Sequence, residues 1–446
     1  MSQENNRDSF DCVVVGAGFT GLTAAYYLAR GGKKVCVVEA EKVAGGLAGV
    51  FEFSDGTYVE KFYHHWFKSD SDILGLISDL ALMSQVKFMP SHTGSYVNGR
   101  VWKLSKPSDL LWFQELTLAQ RIRLGLVVLY ARRIKHTQKL ESSSIREWLE
   151  PLVGKKVFEV VWEPLLQSKF GHFADEISAS WMWKKLALRG HSRQKGGHET
   201  LAYFAGGFGG LIESLVQQCE TLGVRFFFDS PVSQVNSTTS AAAEVVTEVG
   251  TTFLAKAVLL STPLPVATQI VGQEAIGPLP ESGVIPHLSN ICLVLQLSSN
   301  LSDTYWLNVN DPGFPFVGVI EHTNLDPSSN YGGSHIVYLS RYLVSEDPAW
   351  SFSDKEYFEY AIPHLKKIFP EFQDDWVRDY KLWKARYAQP ITSRHYSTFI
   401  PSFETSLPNV FLQTMAQIYP EDRGTNYAVR DGRVAASKIA CFLSSE

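Results

Sequence analysis

Cysteine is scarce. The 446 residues contain five, Cys12, Cys36, Cys219, Cys292 and Cys441, scattered and never spaced as CxxC. An odd, dispersed set excludes a disulfide framework and a zinc cluster, and it fits a reducing compartment. A dominant charge sign is also lacking. Lysine and arginine number 41 against 46 aspartates and glutamates, net −5. Dedicated nucleic-acid binding has no electrostatic footprint here. Charged residues make up 20% and apolar ones 45%, which excludes disordered, collagen-like and coiled-coil chains. There is no Gly-x-Ser-x-Gly and no P-loop, so hydrolase and kinase readings have no footing. Cys12–Ala29 runs 18 residues without a charge, long enough to suggest a membrane span. Its leading residues are mixed in charge, with Glu4 and Asp8, and no small-residue cleavage site comes after it. A signal peptide is therefore not expected, and a cytoplasmic location is. What the chain has in quantity is rings: 27 Phe, 18 Tyr and 11 Trp. They suit a large core and a ring-lined cavity. The length suggests two or three domains at roughly 150 residues each.

The charge-free stretch is interrupted by glycines. Residues 11–18, DCVVVGAG, predict a buried parallel strand ending in a tight turn. From residue 19 a helix is expected, with Leu22, Ala25, Tyr26 and Ala29 on one face and Gly31-Gly32 as its stop. KVCVVE at 34–39 predicts a second buried strand. Gly16-x-Gly18-x-x-Gly21 thus lies between strand and helix, with Phe19 and Thr20 inside the motif. Gly16 permits the turn, Gly18 lets backbone approach a pyrophosphate, and Gly21 lets helix and strand pack closely. The helix N-terminus offers unpaired N–H groups and partial positive charge. Glu39, ending the second strand, can accept from ribose hydroxyls. Strand, helix, second strand and terminal carboxylate together predict a dinucleotide site.

Further along, residues 70–195 read as mainly helical. GGFGGLIESL at 206–215 reads as a glycine turn entering a helix. Residues 245–249 and 252–260 suggest a hairpin across Gly250. Residues 290–345 alternate like antiparallel strands, 354–369 read as a helix, 410–414 as a short strand and 427–443 as a closing helix.

EAEKVAGG at 39–46 resembles the extended fingerprint of the flavin-dependent amine oxidase and protoporphyrinogen oxidase superfamily. Further likeness lies in WEPLLQSKFG at 162–171, GGFGGLIESL, and YPEDRGTNYA at 419–428. The resemblance runs from residue 11 to 440. It implies FAD as cofactor and an α/β fold: a Rossmann-like (GR2-type) FAD-binding domain with an inserted mixed α+β substrate domain. The FAD domain is expected over 1–75, 196–275 and 390–446, and the substrate domain over 76–195 and 276–389. The implied cofactor contacts are Gly16, Gly18, Phe19, Thr20, Gly21, Glu39, Ala40, Gly45, Gly46 and Leu47. Val232 is implied beside the adenine. Arg423, Gly424, Asn426, Tyr427 and Ala428 are implied around the flavin, with a helix N-terminus aimed at its pyrimidine ring. Leu47 stands where many members carry arginine. Thr414-Met415-Ala416-Gln417 replaces a usual Gly-Asp, for which Gln417 or Asp422 could substitute.

Tyr63-His64-His65-Trp66-Phe67 occupies the place of a loop that passes the flavin in this superfamily. His64 and His65 are the candidate catalytic residues, able to bind an anion, polarise a hydroxyl or shuttle a proton. Successive side chains of an extended segment face opposite ways, so one of the two is expected to face the cavity. No metal site is expected. Lys169 and Arg386 are candidate anion contacts. RIRLGLVVLYARRIK at 121–135 carries five basic residues around an apolar core. It is either a buried helix with basic ends or a peripheral membrane contact. The expected reaction is hydride removal from a C–H bond next to nitrogen, oxygen or an unsaturated carbon, in a small-molecule substrate of hydrophobic, lipid-linked or sugar-linked kind. The electron acceptor is open. Two alternatives stand: a flavin-dependent isomerase like UDP-galactopyranose mutase, and a catalytically silent FAD-binding partner.

Overall fold

In the computed structural model, residues 9–445 are described, apart from 136, 190–198, 238–241, 278 and 281–282. The mixed-charge residues 1–8 and the expected boundary at 196 lie outside them.

The expected opening unit is present as strand Ser9–Val15, helix Phe19–Arg30 and strand Val35–Val38. All four residues of the second strand are buried, as suits a strand covered on both faces. Leu22, Ala25, Tyr26 and Ala29 are buried on the helix face chosen from their spacing. These strands belong to a seven-stranded sheet in the order Arg225–Phe227, Val35–Val38, Ser9–Val15, Thr252–Leu260, Ala243–Thr247, Val232–Asn236, with Val410–Leu412 also on Thr252–Leu260. The two strands Ala243–Thr247 and Val232–Asn236 pair antiparallel and the others parallel. Helices Gly207–Thr221 and Thr425–Ser445 pack against Phe19–Arg30. Gly432 makes the second contact close: a Cβ there would lie 2.5 Å from the Thr20 carbonyl oxygen.

A second seven-stranded sheet runs in the order Val377–Pro390, His287–Leu297, His335–Leu343, Gly318–Glu321, Trp306–Val309, Thr93–Val97, Arg100–Lys103. Alternation along its strands divides its faces. Ile291, Leu293 and Leu295 pack in one cluster with Tyr357, Ala361 and Leu365 of helix Asp354–Ile368. Cys292, Val294 and Tyr338 instead join the cluster that holds Trp66, Phe208 and Leu22. The second sheet therefore shares a core with the first sheet's helices. Helices Leu118–Ala131, Ile145–Val153, Glu163–Phe170 and Ala179–Arg189 contribute to a further cluster.

The 70–195 segment differs from expectation at its start. Val86–Ser91, Thr93–Val97 and Arg100–Lys103 are strands. Thr93–Val97 pairs in parallel with Trp306–Val309, more than 200 residues away, and no local pattern announces such a partner.

Candidate functional site

Register alone locates the site. Phe227 lies opposite Val38, Val38 opposite Val15, Val15 opposite Leu260, and Leu260 opposite Leu412. Five parallel strands thus end on one line, and the residues that continue them share a single edge, where open α/β sheets bind ligands. Those continuations are Gly16, Glu39, Phe228, Ser261-Thr262 and Gln413-Thr414.

The glycines act there as distinct parts. Gly16 holds φ +105°, and a Cβ on Gly21 would sit 2.0 Å from the Gly16 carbonyl oxygen. Gly18 caps helix Phe19–Arg30 with no side-chain bond to its N–H groups, and a Cβ there would meet no protein atom within 4 Å. Unpaired donors at Phe19, Thr20 and Gly21 beside an open approach suit a pyrophosphate. The second glycine pair folds onto this turn. Gly45 N–H donates to the Ala17 carbonyl at 2.9 Å, and a Cβ on Gly46 would lie 3.4 Å from Gly18 Cα. Leu47 comes next in a short 3₁₀ turn, Gly46–Ala48. The Glu39 carboxylate accepts from Ala17 N–H at 2.5 Å and Glu41 N–H at 2.9 Å. Each oxygen keeps a second acceptor position for a ribose hydroxyl. Ala40 beside it is exposed. Asp229 and Ser230 N–H groups bond the carbonyls of Glu41 and Glu39, so Val232, opening the next strand, lies close along the chain to the ribose end.

Buried, unpartnered polar atoms mark the same edge. They are the Thr262 and Thr414 hydroxyls; Arg423 Nε, beside Tyr342 of the second sheet, is unpartnered as well. Orphans of this kind are rare in native proteins and fit a bound polar group. The open glycine cradle, the carboxylate and these atoms fit an FAD. The sequence offered one unused signal for Thr262: a Ser-Thr-Pro closing a third buried strand.

The suggested substitutes for the missing aspartate are both committed elsewhere. The Gln417 side chain accepts from Thr414 N–H at 2.7 Å and donates to the Pro401 carbonyl at 3.0 Å. Asp422 accepts from Lys169 at 2.7 Å and Lys185 at 2.8 Å. Burial opposes the Asp422 charge, but Lys169, Lys185 and Arg423 hold its carboxyl far below the usual range.

The C-terminal segment enters helix Thr425–Ser445. Trp66 Nε1 donates to the Thr425 hydroxyl at 2.7 Å, tying the helix start to the histidine segment. Asn426 Oδ1 accepts from Asp72 and Ile73 N–H at 2.9 and 3.1 Å, capping helix Ser71–Asp79. Gly424 is exposed, and its carbonyl accepts from Ala428 N–H at 3.0 Å. Tyr427 lies under the Arg430 guanidinium, 5.0 Å from its ring centre. Arg423 Nη2 donates to the Tyr342 hydroxyl at 2.7 Å, and its charge reaches Tyr63 and His64.

The histidine segment alternates as an extended chain should. His64 and Trp66 contact the Phe208 ring, with centroids at 5.1 and 4.4 Å. Tyr63 and His65 contact Trp306 of the second sheet, at 4.9 and 5.9 Å. His64 Nδ1 bonds the Phe62 carbonyl at 2.6 Å, and His65 Nδ1 the Tyr305 hydroxyl at 2.9 Å. Burial depresses the basicity of both. Arg423 adds to this at His64, while His64 and His322 bring His65 down to about 4. Both rings are accordingly neutral at neutral pH. Lys169 joins the site through Asp422 and lies 5.8 Å from the Tyr342 ring centre. Burial lowers its pKa, which Asp422 opposes. Lys185, missed in the sequence, completes this basic wall. Arg386 does not: it is exposed over the Trp350 ring, 5.6 Å away. Among the described residues no group of His, Cys, Asp or Glu side chains could hold a metal ion.

Comparison with known proteins accords with this geometry. The family model for flavin-containing amine oxidoreductases matches residues 19–440. The 15-cis-phytoene desaturase of an Oncidium hybrid cultivar is 21% identical over 394 residues, covering 83% of this chain and 62% of that protein. Mitochondrial protoporphyrinogen oxidase of Nicotiana tabacum is 31% identical over 170 residues, covering 37% of this chain and 33% of that one. The chain thus matches less than two thirds of the length of either curated relative. The solved structure of reduced UDP-galactopyranose mutase superposes with TM-score 0.75 at 14% identity, covering 97% of this chain and 96% of that one; this likeness concerns the fold. With a family match that runs from the first helix into the last, the chain belongs to the flavin-containing amine oxidoreductases, and its cofactor is FAD.

Proposed function

We propose that this protein is an FAD-dependent oxidoreductase that removes hydride from a C–H bond of a largely apolar, lipid- or sugar-linked substrate with an anionic group. The carrying observation is the Trp66–Thr425 hydrogen bond, which ties the histidine segment to the start of the C-terminal helix, with the Arg423 charge acting on Tyr63 and His64. FAD, when bound, supplies the hydride acceptor. The protein's own groups do the rest. Tyr63, His65 and Trp306, backed by the buried Tyr305, form a ring-rich wall that excludes water and holds an apolar body. Arg423 and Lys169 beside Asp422 leave positive charge for a carboxylate or phosphate. With Nδ1–H donated to the Phe62 carbonyl, neutral His64 keeps Nε2 as a proton acceptor.

The test is optical. The purified protein should show flavin bands near roughly 370 and 450 nm that dithionite bleaches. Anaerobic addition of a true substrate should bleach the same bands. His64→Gln should slow the substrate-driven bleaching by about 10²-fold or more while leaving the dithionite reaction unchanged. Protein that takes up no FAD on reconstitution would overturn the reading. The basic wall also suits a diphosphate, which favours the sugar-nucleotide isomerase as a second reading. Turnover of UDP-galactopyranose by the reduced protein, with no net flavin oxidation, would establish it instead.

A further inference from the structure

The segment 111–130 concentrates exposed apolar side chains. Leu111, Trp112, Leu118, Ile122, Leu126, Leu129 and Tyr130 are each more than half exposed, Trp112 at 75%. Five of these lie on helix Leu118–Ala131 at i, i+4, i+8, i+11 and i+12, a single face. The opposite face, Leu124, Val127 and Ala131, is buried in the helical cluster. Soluble proteins rarely leave so contiguous an apolar stripe uncovered.

Two of the basic residues fix this face in place. The Arg121 guanidinium donates to the carbonyls of Leu111 and Leu116, tying the short turn that carries Trp112 to the helix. Arg123 donates to the carbonyls of Pro151 and Leu152 at 2.8 and 2.6 Å, anchoring the helix to its neighbour. They are structural ties, and neither is left to meet a headgroup. The remaining three, Arg132, Arg133 and Lys135, are exposed at the helix's C-terminal end.

We propose that this face docks on an anionic lipid surface, with the apolar stripe entering the headgroup boundary and Arg132, Arg133 and Lys135 meeting lipid phosphates. An apolar stripe edged by exposed cations is the complement of such a surface. Among the described residues no helix is long and apolar enough to cross a membrane, so the contact is peripheral. The face is also one helix away from the basic wall. Helix Ala179–Arg189 sends Trp183 Nε1 to the Ala131 carbonyl at 2.9 Å and Lys185 to Asp422 at 2.8 Å.

The FAD-loaded protein is mixed with vesicles of phosphatidylcholine alone, or with about one part in four phosphatidylglycerol, and sedimented. Binding to the anionic vesicles, weakened by salt, is expected. Arg132→Glu with Arg133→Glu should cut that binding by about tenfold or more. Leu126→Asp with Trp112→Ala should abolish it, and an unchanged flavin spectrum would certify the fold of both variants. Wild-type protein that stays in the supernatant with both vesicle types would overturn the proposal. So would light scattering that shows a dimer split by Leu126→Asp, since the stripe would then be covered by a second copy.

Discussion

His64 and His65 are adjacent in the chain and separate in environment. One packs on the helix after the glycine turn, the other on the second sheet. Strand alternation foretold this split, but which ring meets which wall required the tertiary partners Phe208, Tyr305 and Trp306. His65 offers a pH test. Its folded pKa falls to about 4 from an ordinary 6.5. On acidification the unfolded chain takes up a proton that the folded chain refuses, so stability drops between those values. Above 6.5 the effect vanishes, because the ring is neutral in both states. Glu321 acts in the opposite sense, burial raising its carboxyl to about 7. The total stability curve is therefore a difference, and a variant is needed to isolate His65. His65→Asn keeps a polar atom for the Tyr305 hydroxyl and removes the titration. Melting temperatures from pH 7 down to 4 should fall less steeply for His65→Asn than for the wild type. Parallel slopes would show that His65 is accessible to protons in the folded state.

Among elements, the opening strand–helix–strand unit was legible because every requirement in it is local. Its glycines, apolar runs and terminal carboxylate lie within 40 residues, and each local preference agrees with the fold. The strands at 86–103 were not legible, since their pairing partners come from far along the chain. Asn426 shows the same limit at the site. Its place in the motif was readable, but its role as a cap for helix Ser71–Asp79 depends on a distant helix start. The fingerprint helix lends itself to a paired test, because its glycines serve different purposes. Gly18 has φ −75° and open space at its Cβ, so Gly18→Ala should leave the apoprotein's stability within about 0.5 kcal/mol. The added methyl would stand where the pyrophosphate approaches, and FAD affinity should fall by about tenfold or more. Gly432→Ala should do the reverse in kind. Its Cβ would lie 2.5 Å from the Thr20 carbonyl oxygen and 2.8 Å from Thr23 Cβ. Pushing the C-terminal helix off the first helix should cost about 1–3 kcal/mol in the apoprotein itself. Denaturant melts of both apoproteins, with FAD titrations beside them, separate the two effects. Equal destabilisation by both substitutions would mean that Gly18 is a packing glycine as well.

At the scale of the molecule, the candidate cofactor site draws on segments remote in sequence: 16–21, 39–46, 261–262 and 413–428. Their juxtaposition exists only in the folded chain, so FAD binds the native state and has no comparable site in the unfolded one. Linkage then fixes the size of the effect. Free FAD at one hundred times its dissociation constant should stabilise the protein by about 2.7 kcal/mol. For a chain of this size that corresponds to a rise in melting temperature of about 3 °C. The rise should grow with the logarithm of FAD concentration. Gly18→Ala should shift the whole dependence to higher concentration without changing the melting temperature of the apoprotein. Adenosine diphosphate is expected to engage the cradle at 16–21, the Glu39 carboxylate and the adenine side at Val232 without the flavin contacts, and should produce a smaller rise with the same logarithmic form. The difference between the two ligands measures what the flavin-side segments, the C-terminal one among them, add. If both raise the melting temperature equally at equal free concentration, their affinities are equal and residues 413–428 contribute nothing to holding the flavin.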